Sequence, residues 1–431
     1  MKQLMITHLC DIKGQGLEIF IMADQVCESV EKMSIKDEQL ITPWEVQGAV
    51  VDGVAQAVNY DKLINQFGCS KLSKELIEKF ERVTGRKAHR LIRRGMVFSH
   101  RDLETILNLH EAGKPFYLYT GRGPSSESMH LGHMIPFVFC QYLQEVFNAH
   151  IVIQMTDDEK FLWKDLTLEQ CHQYAFDNAK DIIACKFDAE KTFIFSDVNY
   201  LGHMAETLFK VQKCVNFNQA RAVFGFSESD SIGQIAYPAT QIVPCFSVAF
   251  KHIFGGRTDI ACLVPAAIDQ DPYFRLARDV AAKLKYPKPA SIYCRFLPAL
   301  QGEGTKMSAS VVNTAIYMTD TAKEIKSKIN KYAFSGGKDT LELHREKGGN
   351  PDIDIAYLYL TYFLEDDEEL ARIYEDYKRG RMLSGEMKAR CIEEVTKFVL
   401  EFQERRKLVT PEILEKFMPT PPPREYLPVK K

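Results

Sequence analysis

The sequence predicts an α/β protein: a doubly wound parallel sheet that carries the chemistry, a small module before it and an all-helical domain after it. Three observations predict this. Short apolar runs rich in β-branched and aromatic residues recur from about residue 115 (PFYLYTG, HIVIQMT, KTFIFSD, ACLVPAA, ASIYCRFL). Longer segments of helical spacing separate them, and strand, helix, strand in that rhythm builds a parallel sheet with helices on both faces. From about 314 the strand signals stop and only helical spacing remains.

Taken in order, residues 1–38 show no decisive period and are set apart as an N-terminal extension. QLITPWEVQGAVV carries β-branched and aromatic residues up to a turn at Asp52-Gly53, and DKLINQF and SKELIEKFERVTG have amphipathic helical spacing, so 39–100 is expected to be a small leading module. The sheet domain is expected at 101–313. Its long segment at about 198–258 holds the apolar run IGQIAYPATQIVPCFSVAF, which suits either intrachain core or a contact between subunits. The segments TAKEIKSKINKYAF, DIAYLYLTYFLEDDEELARIYEDY and SGEMKARCIEEVTKFVLEFQERRK give a helical domain at 314–420. The prolines of PTPPPREYLPVKK make 421–431 an extended tail.

Composition limits the function classes. The chain has 431 residues, 45% hydrophobic and 26% charged, which is enough for two or three domains with full cores. No window approaches 18 apolar residues and the N-terminus lacks the pattern of a signal peptide, so a cytoplasmic location with no membrane partner is expected. Eleven cysteines without a C-x-x-C pair suggest reduced thiols, and no structural metal is expected. The formal charge is only −3. A nucleic-acid partner must therefore be held by local patches such as Arg93-Arg94 or Arg405-Arg406-Lys407.

Two stretches carry chemistry, each at the carboxyl end of a run read as a strand, where open sheets bind ligands. In TGRGPSSESMHLGHMIPF, Gly121 and Gly123 let the chain turn sharply, Ser125, Ser126 and Ser128 can cap a helix, and the helix N-terminus offers N–H groups to an anion. Gly132 lets the backbone approach a flat base or ribose, while His130 and His133 can donate to phosphate oxygens. A zinc pair is the other reading of H-x-x-H, although only Cys140 stands nearby as a further ligand. In QGEGTKMSASVVN, Gly302 and Gly304 precede Lys306, Ser308 and Ser310, which describes a mobile loop able to bring a cation and donors onto a polyphosphate.

HLGH with KMSAS, in this order, resembles the paired signature of the class I aminoacyl-tRNA synthetases. FYLYTGRGPSS, VIQMTDDEKFLWKDLT and AIDQDPYFRLARDV resemble their eukaryotic-type tryptophanyl branch, and the similarity runs from about Pro43 to about Met418. The resemblance implies a Rossmann-like catalytic domain, a connective insertion with a homodimer contact, and a helical anticodon-binding domain. It implies that tryptophan is activated by ATP with Mg²⁺ and passed to the 3′-terminal adenosine of tRNA. On that reading His130, His133, Lys306 and Ser308 are catalytic, with Gly121, Gly123, Gly132, Asp269 and Met307 completing the ATP site. Tyr119, Gln154, Glu159, Gln241 and Gln270 would receive tryptophan, and Lys338 and Asp339 in SGGKDT would touch the anticodon. Asp271-Pro272 reads simply as N-cap and first residue of a helix.

The chain departs from the signature in places. Ala309 stands where many class I enzymes have a second lysine, Val311-Val312 replaces the expected Asp-Pro, and residues 1–38 do not resemble the basic helical hairpin of some relatives. Three rivals to this reading are a tyrosine enzyme, a small-molecule nucleotidylyltransferase and a catalytically silent interaction protein.

Overall fold

Seven strands form the central sheet, in the order Ser70–Lys71, Val97–Arg101, Ala290–Cys294, Ala261–Ala267, Phe116–Arg122, His150–Met155 and Thr192–Ser196. The computed structural model describes residues 39–51, 54–306 and 315–419. Residues 1–38, the Asp52-Gly53 turn, Val311-Val312 and the tail lie outside the described residues.

The last five strands of that order are mutually parallel. They are the five runs read from the sequence. From Phe116–Arg122 the chain builds outward through His150–Met155 to Thr192–Ser196, then crosses back to lay Ala261–Ala267 on the other side. The order therefore reverses between Phe116–Arg122 and Ala261–Ala267, the switch point at which doubly wound sheets open a crevice.

Side chains alternate across the sheet with the period of two that strands impose. Phe116, Leu118, Ile151, Ile153, Leu263 and Ile292 enter one core, which continues without a break into the C-terminal helices. Tyr117, Tyr119, Val152, Phe193, Val264 and Tyr293 enter the other, beneath the segment between the third and fourth parallel strands. Most of the run IGQIAYPATQIVPCFSVAF lies in this second core: Tyr237, Ile242, Val243, Phe246 and Phe250 are all buried. Ile232 at its start is 86% exposed.

Two antiparallel strands, Val97–Arg101 and Ser70–Lys71, extend the sheet beyond Ala290–Cys294. The boundary drawn at residue 100 thus falls inside a strand. GMVFSHR hides this because Ser99 and His100 are buried polar residues, which erase the apolar alternation. The leading segment does form two helices, Tyr60–Phe67 and Lys74–Thr84, capped by Asn59 and Ser73. A hairpin of Leu40–Ile41 and Val46–Gln47 pairs with Gly302–Lys306, which in turn pairs with Pro298–Ala299.

The C-terminal region is helical among the described residues from 322 onward. The segment read as one run over DIAYLYLTYFLEDDEELARIYEDY is two helices, Ile355–Phe363 and Asp367–Lys378, because the Asp366 side chain caps a new start by accepting from Glu368 N and Glu369 N. Of the basic clusters proposed as nucleic-acid patches, Arg93, Arg94, Arg405 and Arg406 are intrachain clamps between this region and the segments around the sheet, whereas Lys407 is exposed and pairs with Glu404 of its own helix. Arg94 donates to the carbonyls of Thr361 and Leu364 at the end of the first of those helices, and Arg93 and Arg94 both bond the Asp367 carboxylate. Arg405 donates to Ala184 O and Arg406 to Asp181. The nine cysteines among the described residues are free thiols, and no described helix is long and apolar enough to cross a membrane.

Candidate functional site

A cleft of about 440 Å³ opens at the carboxyl ends of the strands, over the switch point. Gly121, Gly123, His130, Gly132 and His133 line one wall and Asp269, Gln270, Tyr273 and Phe274 the other, while Pro43 and Trp44 of the leading hairpin overhang the opening. Glu159, Lys160 and Trp163 flank it from the helix Asp157–Trp163.

The histidine turn is built by tertiary contacts. His130 is the N-cap of the helix Leu131–Phe147 and makes no side-chain cap bond, so Ser125, Ser126 and Ser128 do not cap it as the sequence suggested. Ser126 bonds Ser128 O instead, and Ser128 meets Thr319. Leu131 N donates to Ile316 O and Met318 N to Met129 O, so a short antiparallel bridge ties 316–318 to the histidine turn. The imidazoles of His130 and His133 stack with centroids 3.5 Å apart and planes 20° apart. The nitrogen lone pairs of near-parallel rings run side by side instead of converging, which disfavours the zinc reading.

That bridge also positions the second motif. The Lys306 side chain, Met307 and Ser308 lie outside what is described. However, the strand before them ends with the Lys306 backbone opposite Pro298, and the chain resumes in the segment paired to His130. Both ends of the KMSAS loop are therefore anchored, and one of them meets the histidine turn directly.

Of the other residues singled out from the sequence, Glu159, Gln241 and Gln270 line the cleft. Tyr119 and Gln154 do not: both are 0% exposed and stand behind its wall. The Tyr119 hydroxyl donates to Gln154 Oε1 at 2.5 Å and accepts from Gln241 Nε2 at 2.8 Å. Glu159 accepts from Thr156 Oγ1 and Lys160 Nζ, each at 2.9 Å. Asp271 is the first residue of the helix Asp271–Leu284 and not its N-cap, and its carboxylate is fully buried against Arg101. Lys338 and Asp339 are exposed at the tip of a turn in the helical region, far along the chain from the cleft. Gly336 and Gly337 clamp the base of that turn, since a Cβ on Gly336 would strike Asn350 O and one on Gly337 the Ser384 hydroxyl.

Sequence reasoning missed Trp44, Arg122, Lys160, Trp163 and Tyr237. Only Arg122 left a signal, being enclosed by the two glycines of the phosphate turn. It donates from Nε to Asn178 at 3.0 Å, while its buried Nη2 has no hydrogen-bond partner among the described residues. Burial holds its guanidinium down to about 10, so it remains cationic at neutral pH. Trp44 stacks on Trp163 with centroids 5.7 Å apart, so the chain's two tryptophans meet at the mouth of the cleft. Burial pushes the Tyr119 and Tyr237 phenols well above their ordinary range, leaving both as neutral donors. A glycine turn, imidazoles and cations suit a polyphosphate, and buried polar groups behind an aromatic wall suit a flat apolar partner with few polar atoms.

Comparison with known proteins decides the family. Residues 111–399 match the model of the tRNA synthetases class I (W and Y). The chain belongs to that family. It is 57% identical over 385 residues to the cytoplasmic tryptophan–tRNA ligase of Homo sapiens, covering 89% of this chain and 81% of that protein. It is 55% identical over 384 residues to the cytoplasmic tryptophan–tRNA ligase of Schizosaccharomyces pombe, covering 89% and 97%. The crystal structure of Plasmodium falciparum tryptophanyl-tRNA synthetase superposes with a TM-score of 0.79 at 50% identity, covering 84% of this chain and 95% of that one. The synthetase sheet and helical region seen here are thus shared with that solved relative.

Proposed function

We propose that the cleft is where this chain, a tryptophan–tRNA ligase, joins tryptophan to ATP and then passes the aminoacyl group to the terminal ribose of tRNA. The tryptophan carboxylate attacks the α-phosphorus in line. A P–O bond forms, the bond to the bridging oxygen breaks, and pyrophosphate leaves with its electron pair. The ribose hydroxyl then attacks the mixed anhydride and AMP departs. No protein nucleophile is required, so catalysis consists of positioning and of stabilising charge on the phosphoryl oxygens.

The observation that carries this reading is the meeting of the histidine turn with an anchored end of the lysine loop over the switch point. His130, His133, Lys306 and Ser308 act on the phosphates, with Arg122 and Lys160 as further cations on the cleft wall. Gly121, Gly123, Gly132, Asp269 and Met307 receive the rest of ATP. Glu159, Gln241 and Gln270 on the wall receive tryptophan, with Tyr119 and Gln154 buried behind them, where the Tyr119 hydroxyl holds the Gln241 amide. Mg²⁺, arriving with the nucleotide, would supply further positive charge to the phosphates that His130, His133 and Lys306 serve.

The division into a leading module, a sheet domain and a helical anticodon domain is part of the same reading, with Lys338 and Asp339 reaching unstacked bases. Homodimerisation is supported by the exposed Phe161, Val198, Leu201 and Ile232, carried on three helices that pack on one another. The cytoplasm is the location printed for the relatives.

Exchange of labelled pyrophosphate into ATP tests the reading. Exchange that needs tryptophan is the expected result. Exchange elicited by tyrosine and not by tryptophan would reverse the specificity, and none with any amino acid would overturn the activity.

A further inference from the structure

Arg122 ends the strand Phe116–Arg122 and stands between the two glycines of the phosphate turn. Its backbone is rigid, since it pairs with Met155 in the sheet and its carbonyl accepts Thr156 N at 2.9 Å. An arginine on a rigid backbone still has its side-chain rotamer freedom to lose, and a cation that wanders serves no phosphate.

What orders it is Asn178, on the helix Leu168–Ile183. Asn178 is 0% exposed and both halves of its amide are engaged: Oδ1 accepts Arg122 Nε at 3.0 Å, while Nδ2 donates to Ser126 O at 2.8 Å and to Glu127 O at 3.4 Å. This orientation has no alternative. A guanidinium can only donate and a backbone carbonyl can only accept, so a reversed amide would set NH₂ against N–H and oxygen against oxygen. One buried side chain therefore fixes the guanidinium against the backbone of the turn that follows it.

The acidic neighbours of this cation are engaged elsewhere. Asp181, one turn further along the same helix, accepts Arg406 Nε from the helical region and Met129 N at 3.4 Å, and Glu159 accepts from Thr156 and Lys160. Arg122 hydrogen-bonds neither, and its buried Nη2 has no partner among the described residues. A desolvated donor on a charged group is costly to leave unmade, so this one is set for an acceptor that arrives in the cleft.

We propose that Asn178, which touches no substrate, is a positioning residue for activation: by holding Nε it keeps the Arg122 guanidinium ordered in the cleft wall with Nη2 free for a phosphate oxygen of ATP. The proposal rests on the reading of the cleft as the ATP site. Its benefit is preorganisation, because the side chain is ordered on folding and not when the nucleotide binds.

The test is a double-mutant cycle read in pyrophosphate exchange. Asn178→Leu, branched at the same atom but without polar groups, should lower kcat/KM for ATP by roughly 10- to 100-fold, the effect of losing one hydrogen bond to a charged group. Tryptophan affinity by equilibrium dialysis without ATP should stay unchanged. Arg122→Lys keeps the charge but has no Nε–H, so it should lose a similar factor with Asn178 intact. Adding Asn178→Leu to Arg122→Lys should then lower exchange no further, which separates action through Arg122 from a general loosening of the turn. Arg122→Lys leaves the Asn178 bonds to Ser126 and Glu127 in place and carries the test where Asn178→Leu folds poorly. Equal losses for ATP and tryptophan in Asn178→Leu, a full further loss in the double variant, or undiminished exchange in Arg122→Lys would make Asn178 a structural brace only and overturn the proposal. A wild-type protein without tryptophan-dependent exchange would instead defeat the underlying reading.

Discussion

Replacing Asp271 with Asn should destabilise the sheet and loosen one wall of the cleft together. The Asp271 carboxylate is 0% exposed; it accepts Arg101 Nε at 2.7 Å, Arg101 Nη2 at 2.9 Å and the Tyr293 hydroxyl at 2.6 Å, with Arg275 Nε at 3.1 Å. Through it the antiparallel strand Val97–Arg101 grips the start of the helix Asp271–Leu284. Arg101 cannot simply retreat to solvent, since it also donates to the carbonyls of Phe67 and Gly68. Asparagine keeps the volume, removes the counter-charge and turns an NH₂ toward guanidinium donors. Stranding a buried charge in this way costs about 3–5 kcal/mol. Thermal unfolding should register the loss as a clearly lower midpoint, and the combined change Arg101→Met, Asp271→Leu and Tyr293→Phe should recover much of it, because it removes the buried charge pair together with the hydroxyl that would otherwise lose its acceptor. Asp269 and Gln270 precede this anchor, so amino-acid activation should drop as well. An Asp271→Asn protein as stable and as active as the wild type would refute the argument.

Lys306→Ala should lower the activation rate by on the order of 100-fold, the cost of one phosphate-directed donor, while tryptophan affinity by equilibrium dialysis changes little; equal losses would place the lysine outside the transition state. Gly123→Ala should leave the fold nearly intact and still impair activation. A Cβ there would overlap Lys160 Cε and stand 2.7 Å from Glu159 Oε2, and the flexible Lys160 would yield by leaving its place on the cleft wall. Unchanged pyrophosphate exchange would show that Lys160 is not needed there. His89 governs acid stability: burial first, then the charges of Arg90, Arg93 and Arg94, hold its pKa down to about 3 from 6.5. The unfolded chain therefore takes up a proton that the folded one refuses, so this contribution is complete above about pH 6.5 and is lost as pH falls toward 3. His89→Asn retains an acceptor for Leu91 N and cannot titrate, so its acid-unfolding profile should lie at lower pH. Coincident profiles would exclude the histidine as the cause.

The five parallel strands and the helical C-terminal region were legible because each is a local pattern, an apolar run or a helical period that survives whatever packs on it. The antiparallel strand Val97–Arg101 was not, since its buried Ser99 and His100 make sense only between its two neighbours in the sheet. The same division runs through the site. Gly121, Gly123, His130, Gly132 and His133 stand within one turn of chain, and their residue types carry the chemistry unaided. Trp44, Lys160 and Tyr237 come from three distant segments as ordinary aromatic and basic residues, and only the fold gives them a common wall.

Arg93 and Arg94 show why charge alone misleads. A cationic pair suits RNA phosphates and a protein carboxylate equally well, and what settles the matter is Asp367, 274 and 273 positions further along. Gln154 makes the converse case: its identity was readable, yet its fully buried amide is held by the Tyr119 hydroxyl, Asp197 and Thr240 O, partners from three other segments that no local pattern names.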